Sequence, residues 1–321
     1  MQIALLGAGR IGKIHAGNIA AHPRSHLAAV VDAHGPSAES LAAAHGSVVR
    51  DEADVFADPA IDGVLIASST PEHARQIEEA ARAGKAIFCE KPIDLDLGRV
   101  RDVLTHLKAH PVPMMLAFNR RFDANFQRLK AEIDSGNMGE IEMVTILSRD
   151  PGLPPMEYIR ASGGLFRDMM IHDFDVARWL LGEEFTELSA QASALVDPGV
   201  AEAGDVDTAI VTLRSATGKL VNISNSRRAS YGYDQRIEVH CEKGLVAAEN
   251  IRESSVVISD ATGVRLDKPM HFFLERYAGA YRAEWDGFVR LVLDGEGGMP
   301  TAEDGLKSLE LAERALAAIQ S

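Results

Sequence analysis

Six residues near the amino terminus, Gly7-Ala8-Gly9-Arg10-Ile11-Gly12, carry the spacing G-x-G-x-x-G between a short apolar run and a helix-like stretch. In that setting Gly7 permits a tight turn and Gly9 lets backbone approach a pyrophosphate at a helix N-terminus, while Gly12 lets helix and strand pack closely. Asp32 stands twenty residues after Gly12, at the end of a second apolar run, where a carboxylate accepts from adenosine ribose hydroxyls. A glycine turn alone is common; with Asp32 and the strand-helix-strand context it predicts dinucleotide binding. A carboxylate at position 32 repels a 2′-phosphate and Ala33-His34 supplies no arginine, so NAD is expected over NADP, with His34 a partial compensation. Ser69-Thr70-Pro71-Glu72-His73 reads as N-cap, early proline and first-turn acid. Ser69, Thr70 and His73 either face the cofactor from the carboxyl end of a strand or belong to a well-capped helix and nothing more.

Asp168 and His172 are four apart in a helical stretch, which puts both side chains on one face. A carboxylate beside an imidazole fixes its tautomer and raises its basicity, which suits a general base near neutral pH. The competing readings are a helix-surface pair, or His172, Asp173 and Asp175 as metal ligands. No cysteine or second histidine completes that cluster, so no metal is expected. Lys91 follows a strand in Phe88-Cys89-Glu90-Lys91-Pro92, where an ammonium can donate to a hydroxyl and stabilise a developing alkoxide. Its bland alternative is a surface lysine in a proline turn. Of Arg120 and Arg121, one suits a salt bridge to Asp123 or the acidic surface, and the other can fork across vicinal hydroxyls. Cys89 as a nucleophile is a further option, but its place inside an apolar strand favours an inert thiol.

The elements that must position these groups follow two patterns. Up to residue 118, short apolar runs at 3–6, 27–31, 63–67, 86–89 and 114–118 alternate with Ala-rich helical stretches such as 37–45 and 71–83. Continuously apolar strands separated by helices are what a parallel sheet covered on both faces requires. After residue 118 the pattern changes. Phe122, Phe126, Leu129 and Ile133 form a helical stripe ended near Gly136, and residues 141–148 read as a strand. Met170, Phe174, Ala177 and Leu181 mark a second helix. Strands then follow one another over 206–266, with turns at Thr217-Gly218, Lys243-Gly244 and Thr262-Gly263. Val211, Leu213, Val221 and Ile223 are candidates for a core face or an interface. The expected fold is an α/β Rossmann domain, 1–118, followed by an α+β domain with a large open, mostly antiparallel sheet, 119–321. Two closing helices, the last capped at Thr301 with Asp304 three residues on, are expected to pack back on the first domain.

Composition agrees. A chain of 321 residues suggests two domains at ~150 residues each, and 46% hydrophobic with 25% charged residues is ordinary for globular proteins. With 33 Lys and Arg against 47 Asp and Glu, the net charge of −14 argues against a nucleic-acid or anionic-membrane partner. Two cysteines make no disulfide framework, and Met1-Gln2 runs into apolar residues without a basic leader. No apolar run approaches the ~18 residues of a spanning helix. A cytoplasmic setting is expected.

From Glu90-Lys91-Pro92 a family becomes visible. The chain resembles the glucose-fructose oxidoreductase and inositol dehydrogenase family, which joins a Rossmann domain to an open-sheet domain and carries Glu-Lys-Pro at this place. That motif marks the superfamily only. Arg10-Ile11-Gly12-Lys13-Ile14-His15, Phe118-Asn119-Arg120-Arg121-Phe122-Asp123, and Ser162-Gly163-Gly164 with Asp168 and His172 are similar to inositol 2-dehydrogenases. So are Tyr231-Gly232-Tyr233-Asp234-Gln235 and Phe272-Phe273-Leu274-Glu275-Arg276-Tyr277, and the resemblance runs the whole length. It implies NAD-dependent oxidation of the axial hydroxyl of myo-inositol to scyllo-inosose, with Lys91, Asp168 and His172 catalytic and His172 taking the hydroxyl proton. It implies cofactor contacts from Gly7, Gly9, Arg10, Ile11, Gly12, Asp32, Ser69, Thr70, His73, Glu90 and Lys91, and a cis bond at Lys91-Pro92. Substrate contacts are implied for Arg121, Asp150 and Tyr233, and a nicotinamide-ribose or substrate contact for Asn119. Tyr233 is otherwise a core or sheet-edge tyrosine. A homo-oligomer, dimer or tetramer, through the second sheet is also implied. The alternatives are a relative acting on another inositol epimer or a pyranose, and a non-catalytic NAD-binding regulator, against which Lys91, Asp168 and His172 speak.

Overall fold

A computed structural model describes residues 1–320. The chain divides into two compact units: Met1–Phe122 with Ala280–Leu309, and Asp123–Gly279 with the segment from Glu310 onward.

The first unit is built on six parallel strands: β1 (Gln2–Leu6), β2 (His26–Val31), β3 (Val48–Val49), β4 (Gly63–Ile66), β5 (Ala86–Glu90) and β6 (Met114–Ala117). Their order is β3-β2-β1-β4-β5-β6, the doubly wound arrangement. Every residue of β4 and the first four of β5 are buried, as strands covered on both faces must be. The helices between them are α1 (Arg10–Ala21), α2 (Gly35–Ala44), α3 (Glu52–Ala57), α4 (Thr70–Arg82) and α5 (Leu97–Ala109). The exposed β3 and the short α3 are too brief to stand out in the apolar pattern.

The helix Ala278–Asp294 supplies core to the first unit. Trp285, Phe288 and Val289 pack in one cluster with Ile3, Leu5, Leu27 and Phe88. Phe88 meets Phe288 edge-on, with ring centroids 5.6 Å apart. Burying each such side chain contributes about 1.5–3 kcal/mol. The last helix, Ala302–Gln320, starts as expected: Asp304 N–H bonds Thr301 Oγ1 (3.2 Å), and the Asp304 carboxylate accepts from Thr301 N–H (2.9 Å).

The same returning helix buries a charge-bearing group. Glu284 is 0% exposed, and among the described residues neither carboxylate oxygen has a hydrogen-bond partner. Burial first, and then Glu90, push its carboxyl well above the ordinary value of 4.5, so the fold favours its protonated form. The folded chain then holds a proton that the unfolded chain releases above about pH 4.5, so stability falls as pH rises through that region toward the raised value. Glu284→Gln removes this slope. Urea unfolding at about pH 5 and 7 should show the variant gaining on the wild type with pH, by up to about 1.4 kcal/mol per unit. An equal difference at both pH values would mean that Glu284 is ionised in the fold.

The second unit holds β7 (Ile141–Arg149), β8 (Phe185–Ser193), β9 (Thr208–Ser215), β10 (Leu220–Ser226), β11 (Asp234–Cys241) and β12 (Gly244–Ala248). They form one sheet in the order β12-β11-β7-β10-β9-β8. All pairings are antiparallel except β7 with β10, whose register sets Ser226 opposite Arg149. Val211, Leu213, Val221 and Ile223 are buried, so they line the core face. The other face exposes Met143, Ile210, Leu220 and Leu245. A further hairpin, β13 (Val257–Asp260) with β14 (Gly263–Leu266), stands apart from this sheet. The unit's helices include α6 (Ala124–Asp134), α7 (Met156–Ala161) and α8 (Ile171–Leu181). Asp123 caps α6, accepting from Asn125 and Phe126 N–H, and its carboxylate also pairs with buried Arg276. Among the described residues no helix is long and apolar enough to cross a membrane.

Candidate active site

In the first unit the glycine loop follows β1 directly and opens α1 at Arg10. Gly7 has φ +105°, and a Cβ there would lie 2.3 Å from the Ala67 carbonyl oxygen. A Cβ on Gly12 would lie 2.0 Å from the Gly7 carbonyl oxygen. Both positions therefore require glycine for backbone packing alone. Gly9 differs: nothing stands within 4 Å of its would-be Cβ. It caps α1 with no side-chain bond, and no acidic residue occupies the first turn. Uncapped N–H groups beside open space fit a pyrophosphate.

Asp32, just past β2, accepts from Ala8 N–H at 2.6 Å and from His34 N–H at 2.7 Å. Its carboxylate is thus oriented by the glycine loop itself, with acceptor capacity left for ribose hydroxyls. The His34 ring lies 2.8 Å from Ser37 Oγ. Replacing Asp32 by Ser should weaken NAD binding and raise the NADP-to-NAD ratio of kcat/KM by about 10–100-fold, the worth of one hydrogen bond to a charged group. The ratio is the proper readout, because loss of the Ala8 bond also loosens the loop for both cofactors. An unchanged ratio would mean that Asp32 does not read the ribose.

Three expected cofactor contacts have other local partners. His73 is buried, with Nδ1 2.8 Å from the Pro92 carbonyl and Nε2 3.1 Å from the Ser68 carbonyl. It ties the loop after β4 to the turn holding Lys91. Glu90 Oε1 lies 2.7 Å from Nε2 of fully buried His15. Ser69 precedes α4 but its hydroxyl makes no cap bond; its carbonyl accepts from Glu72 N–H instead. Thr70 opens the helix. Lys91 follows β5, half-buried, and its bond to Pro92 is cis. Cys89 is fully buried, and burial followed by the charge of Glu90 pushes its thiol up, which leaves it inert.

Asn119, Arg120 and Arg121 form a buried turn after β6. Arg121, expected at substrate, makes an ion pair with Asp304 at 3.0 Å. Burial opposes ionisation of Asp304, but the Arg121 charge and the Thr301 bonds outweigh it and hold its carboxyl down at about 2.

In the second unit a π-helical turn, Phe166–Met170, runs into α8. Met170, Phe174, Ala177 and Leu181 are buried, as their spacing predicts. Asp168 lies in the π turn and His172 in the first turn of α8, so their four-residue separation crosses a change of helical pitch. Asp168 is held through both oxygens: the Tyr158 hydroxyl donates to Oδ1 (2.8 Å) and Arg227 Nη2 donates to Oδ2 (3.1 Å). Desolvation and the Asp168 carboxylate raise the Tyr158 hydroxyl far above its ordinary range, so it remains a donor. Asp150 lies 3.8 Å from Arg227 Nη1. Tyr233 is buried, edge-on to Tyr277 at 6.0 Å between centroids. Asp173, one of the alternative metal ligands, accepts from Asn225 Nδ2 at 2.9 Å. Among the described residues no group of three or more His, Cys, Asp and Glu side chains is placed to hold a metal.

Sequence reading missed Tyr158 and Arg227, ten and fifty-nine residues from Asp168, because nothing in their local spacing signals a shared partner. His15 carried a weak signal: it falls on the buried face of α1 with Gly12, Ala16 and Ile19, where a polar ring needs a partner.

Comparison with known proteins agrees with this geometry. Residues 1–118 match the profile described as "Oxidoreductase family, NAD-binding Rossmann fold" and residues 126–247 that of the "GFO/IDH/MocA C-terminal domain". The chain is 49% identical over 320 residues to inositol 2-dehydrogenase of Rhizobium meliloti, covering 99% of this chain and 97% of that protein. The chain belongs to the GFO/IDH/MocA oxidoreductase family. Another member, myo-inositol 2-dehydrogenase of Thermotoga maritima, is 44% identical over 97% of this chain and 94% of its own. The crystal structure of scyllo-inositol dehydrogenase from Lactobacillus casei with bound NAD(H) and scyllo-inositol superposes with a TM-score of 0.92 at 30% identity, covering 100% of this chain and 97% of that one. The first unit is the family's NAD-binding Rossmann domain. The second carries its open sheet.

Proposed function

We propose that the protein is an NAD-dependent inositol dehydrogenase that oxidises the axial secondary hydroxyl of myo-inositol to the 2-keto product, scyllo-inosose. The observation that carries the chemistry is the Asp168 carboxylate, fixed through both oxygens four residues before His172. NAD, when bound, accepts the hydride from the ring carbon. The glycine loop and Asp32 seat the cofactor. His172 removes the hydroxyl proton, and Asp168 keeps its ring in the required tautomer. Lys91 donates to the same oxygen and stabilises the alkoxide as it forms. Asn119, Arg121, Asp150 and Tyr233 are the proposed hydroxyl contacts, Arg121 through whatever edge its pairing with Asp304 leaves. Full-length likeness to the R. meliloti and T. maritima enzymes supports myo-inositol. The scyllo-inositol-bound relative favours a second reading, in which that epimer is preferred. Initial rates with NAD and NADP against inositol epimers and simple hexoses decide between them. Inert polyols and sugars with both cofactors would defeat the enzyme reading.

The proposed setting is cytoplasmic, and the proposed assembly is a homodimer or homotetramer through the outer face of the second sheet. Leu245, His240, Met143 and Leu220 stand in register as one row across four strands of that face. An exposed row containing three large apolar side chains is the kind of patch that association covers. Light scattering at micromolar concentration should give a multiple of 34.6 kDa, reduced toward it by Leu220→Glu. A monomeric wild type would refute the assembly.

A further inference from the structure

Arg227 is 2% exposed and stands just beyond β10, where the parallel register with β7 brings it beside Asp150. Its backbone is fixed from several sides: Arg227 N–H donates to the Asp207 carbonyl (2.8 Å), Asp150 N–H to the Ser226 carbonyl (2.9 Å), and Ala229 N–H to the Asp150 carbonyl (2.7 Å). The guanidinium then reaches Asp168 with Nη2 and faces Asp150 with Nη1, while its buried Nε has no hydrogen-bond partner among the described residues. Burying a guanidinium with one donor unsatisfied is a poor way to gain stability, since apolar residues of similar volume usually serve as well or better. What it does provide is a rigid fork of fixed width.

We propose that Arg227 is a positioning residue that locks Asp168, and with it His172, in the geometry proton removal requires, while setting Asp150 at a fixed distance from that pair. This rests on the functional reading above. Tyr158 on α7 and Arg227 after β10 bond the Asp168 carboxylate, Asp150 after β7 faces the same guanidinium, and His172 follows four residues on in α8. Of these only Arg227 carries a permanent positive charge, and it shares the carboxylate with a neutral phenol donor.

The test has an arm that needs no turnover and an arm that does. In the full chain labelled with ¹³C-aspartate, the Asp168 carboxyl signal, assigned through Asp168→Asn, should titrate about one to three pH units higher in Arg227→Met than in the wild type. Arg227→Lys should restore part of the shift. In turnover, Arg227→Met should lower kcat much more than it changes KM. The same change made in the Asp168→Asn background should cost less than about threefold more, because the two side chains act through one contact. Multiplicative losses in the double variant, or an unmoved Asp168 titration, would overturn the proposal. Should Arg227→Met not fold, Arg227→Lys serves both arms, with a smaller shift and a partial kcat loss expected; wild-type values in both would overturn it. A wild type that oxidises no polyol sinks the functional reading, and the titration arm still decides the role of Arg227.

Discussion

Replacing His172 by asparagine is expected to lower turnover by about 10²–10⁴-fold, the usual worth of a general base. Asparagine is similar in size and polarity but takes up no proton near neutral pH. The fold should survive, because His172 is half-buried on α8 while the buried stripe there is Phe174, Ala177 and Leu181. NAD affinity should barely move, since the glycine loop and Asp32 belong to the other unit. The pH-rate profile should also lose its rise through the imidazole range, unless a slow release step limits the wild type. Stopped-flow and steady-state rates across pH, with NAD titrations as control, check each point. Unchanged turnover with the same profile would make His172 structural and pass the proton to Lys91.

Alanine at two glycines of the cofactor loop should separate packing from binding. Gly12→Ala places a methyl 2.0 Å from the Gly7 carbonyl oxygen, which cannot be accommodated without moving α1 away from the strand end. Overpacking of this kind costs about 1–3 kcal/mol. Each backbone N–H displaced from a charged phosphate costs about 1.5–3 kcal/mol more in binding. Thermal unfolding should therefore shift down and NAD affinity fall by at least about 10–100-fold. Gly9→Ala should behave differently. Its φ of −71° suits alanine and its Cβ meets only open space, so stability should hold or improve slightly. NAD affinity should still fall, because the methyl enters the space reserved for the pyrophosphate. Calorimetric titration and melting curves on both variants give the comparison; tight NAD binding by Gly9→Ala would relocate the cofactor.

How legible these sites were depended on how local their logic is. The glycine loop needs only a strand, a turn and a helix in succession, so its spacing carried it, and Gly7 and Gly12 stand where backbone must approach backbone. The capping pair Thr301 and Asp304 was legible for the same reason. At His73 the helix-start pattern did not show that the ring would meet two carbonyls, nineteen and five residues away. Arg121 carried no sign of Asp304, which lies far along the chain.

By itself, then, the order of apolar runs was enough to determine a parallel α/β unit ahead of a largely antiparallel sheet, since strand and helix periodicities are written residue by residue. Only the tertiary structure decided which residues of the returning helix, Trp285 and Phe288, enter the core of the first unit, that Val221 and Ile223 face inward while Met143 and Leu220 face out, and that Tyr158 and Arg227 converge on Asp168. Each of these is a pairing across long chain separations. Such pairings are set by sheet register and by which faces find cover, and neither quantity is a property of any short stretch of sequence.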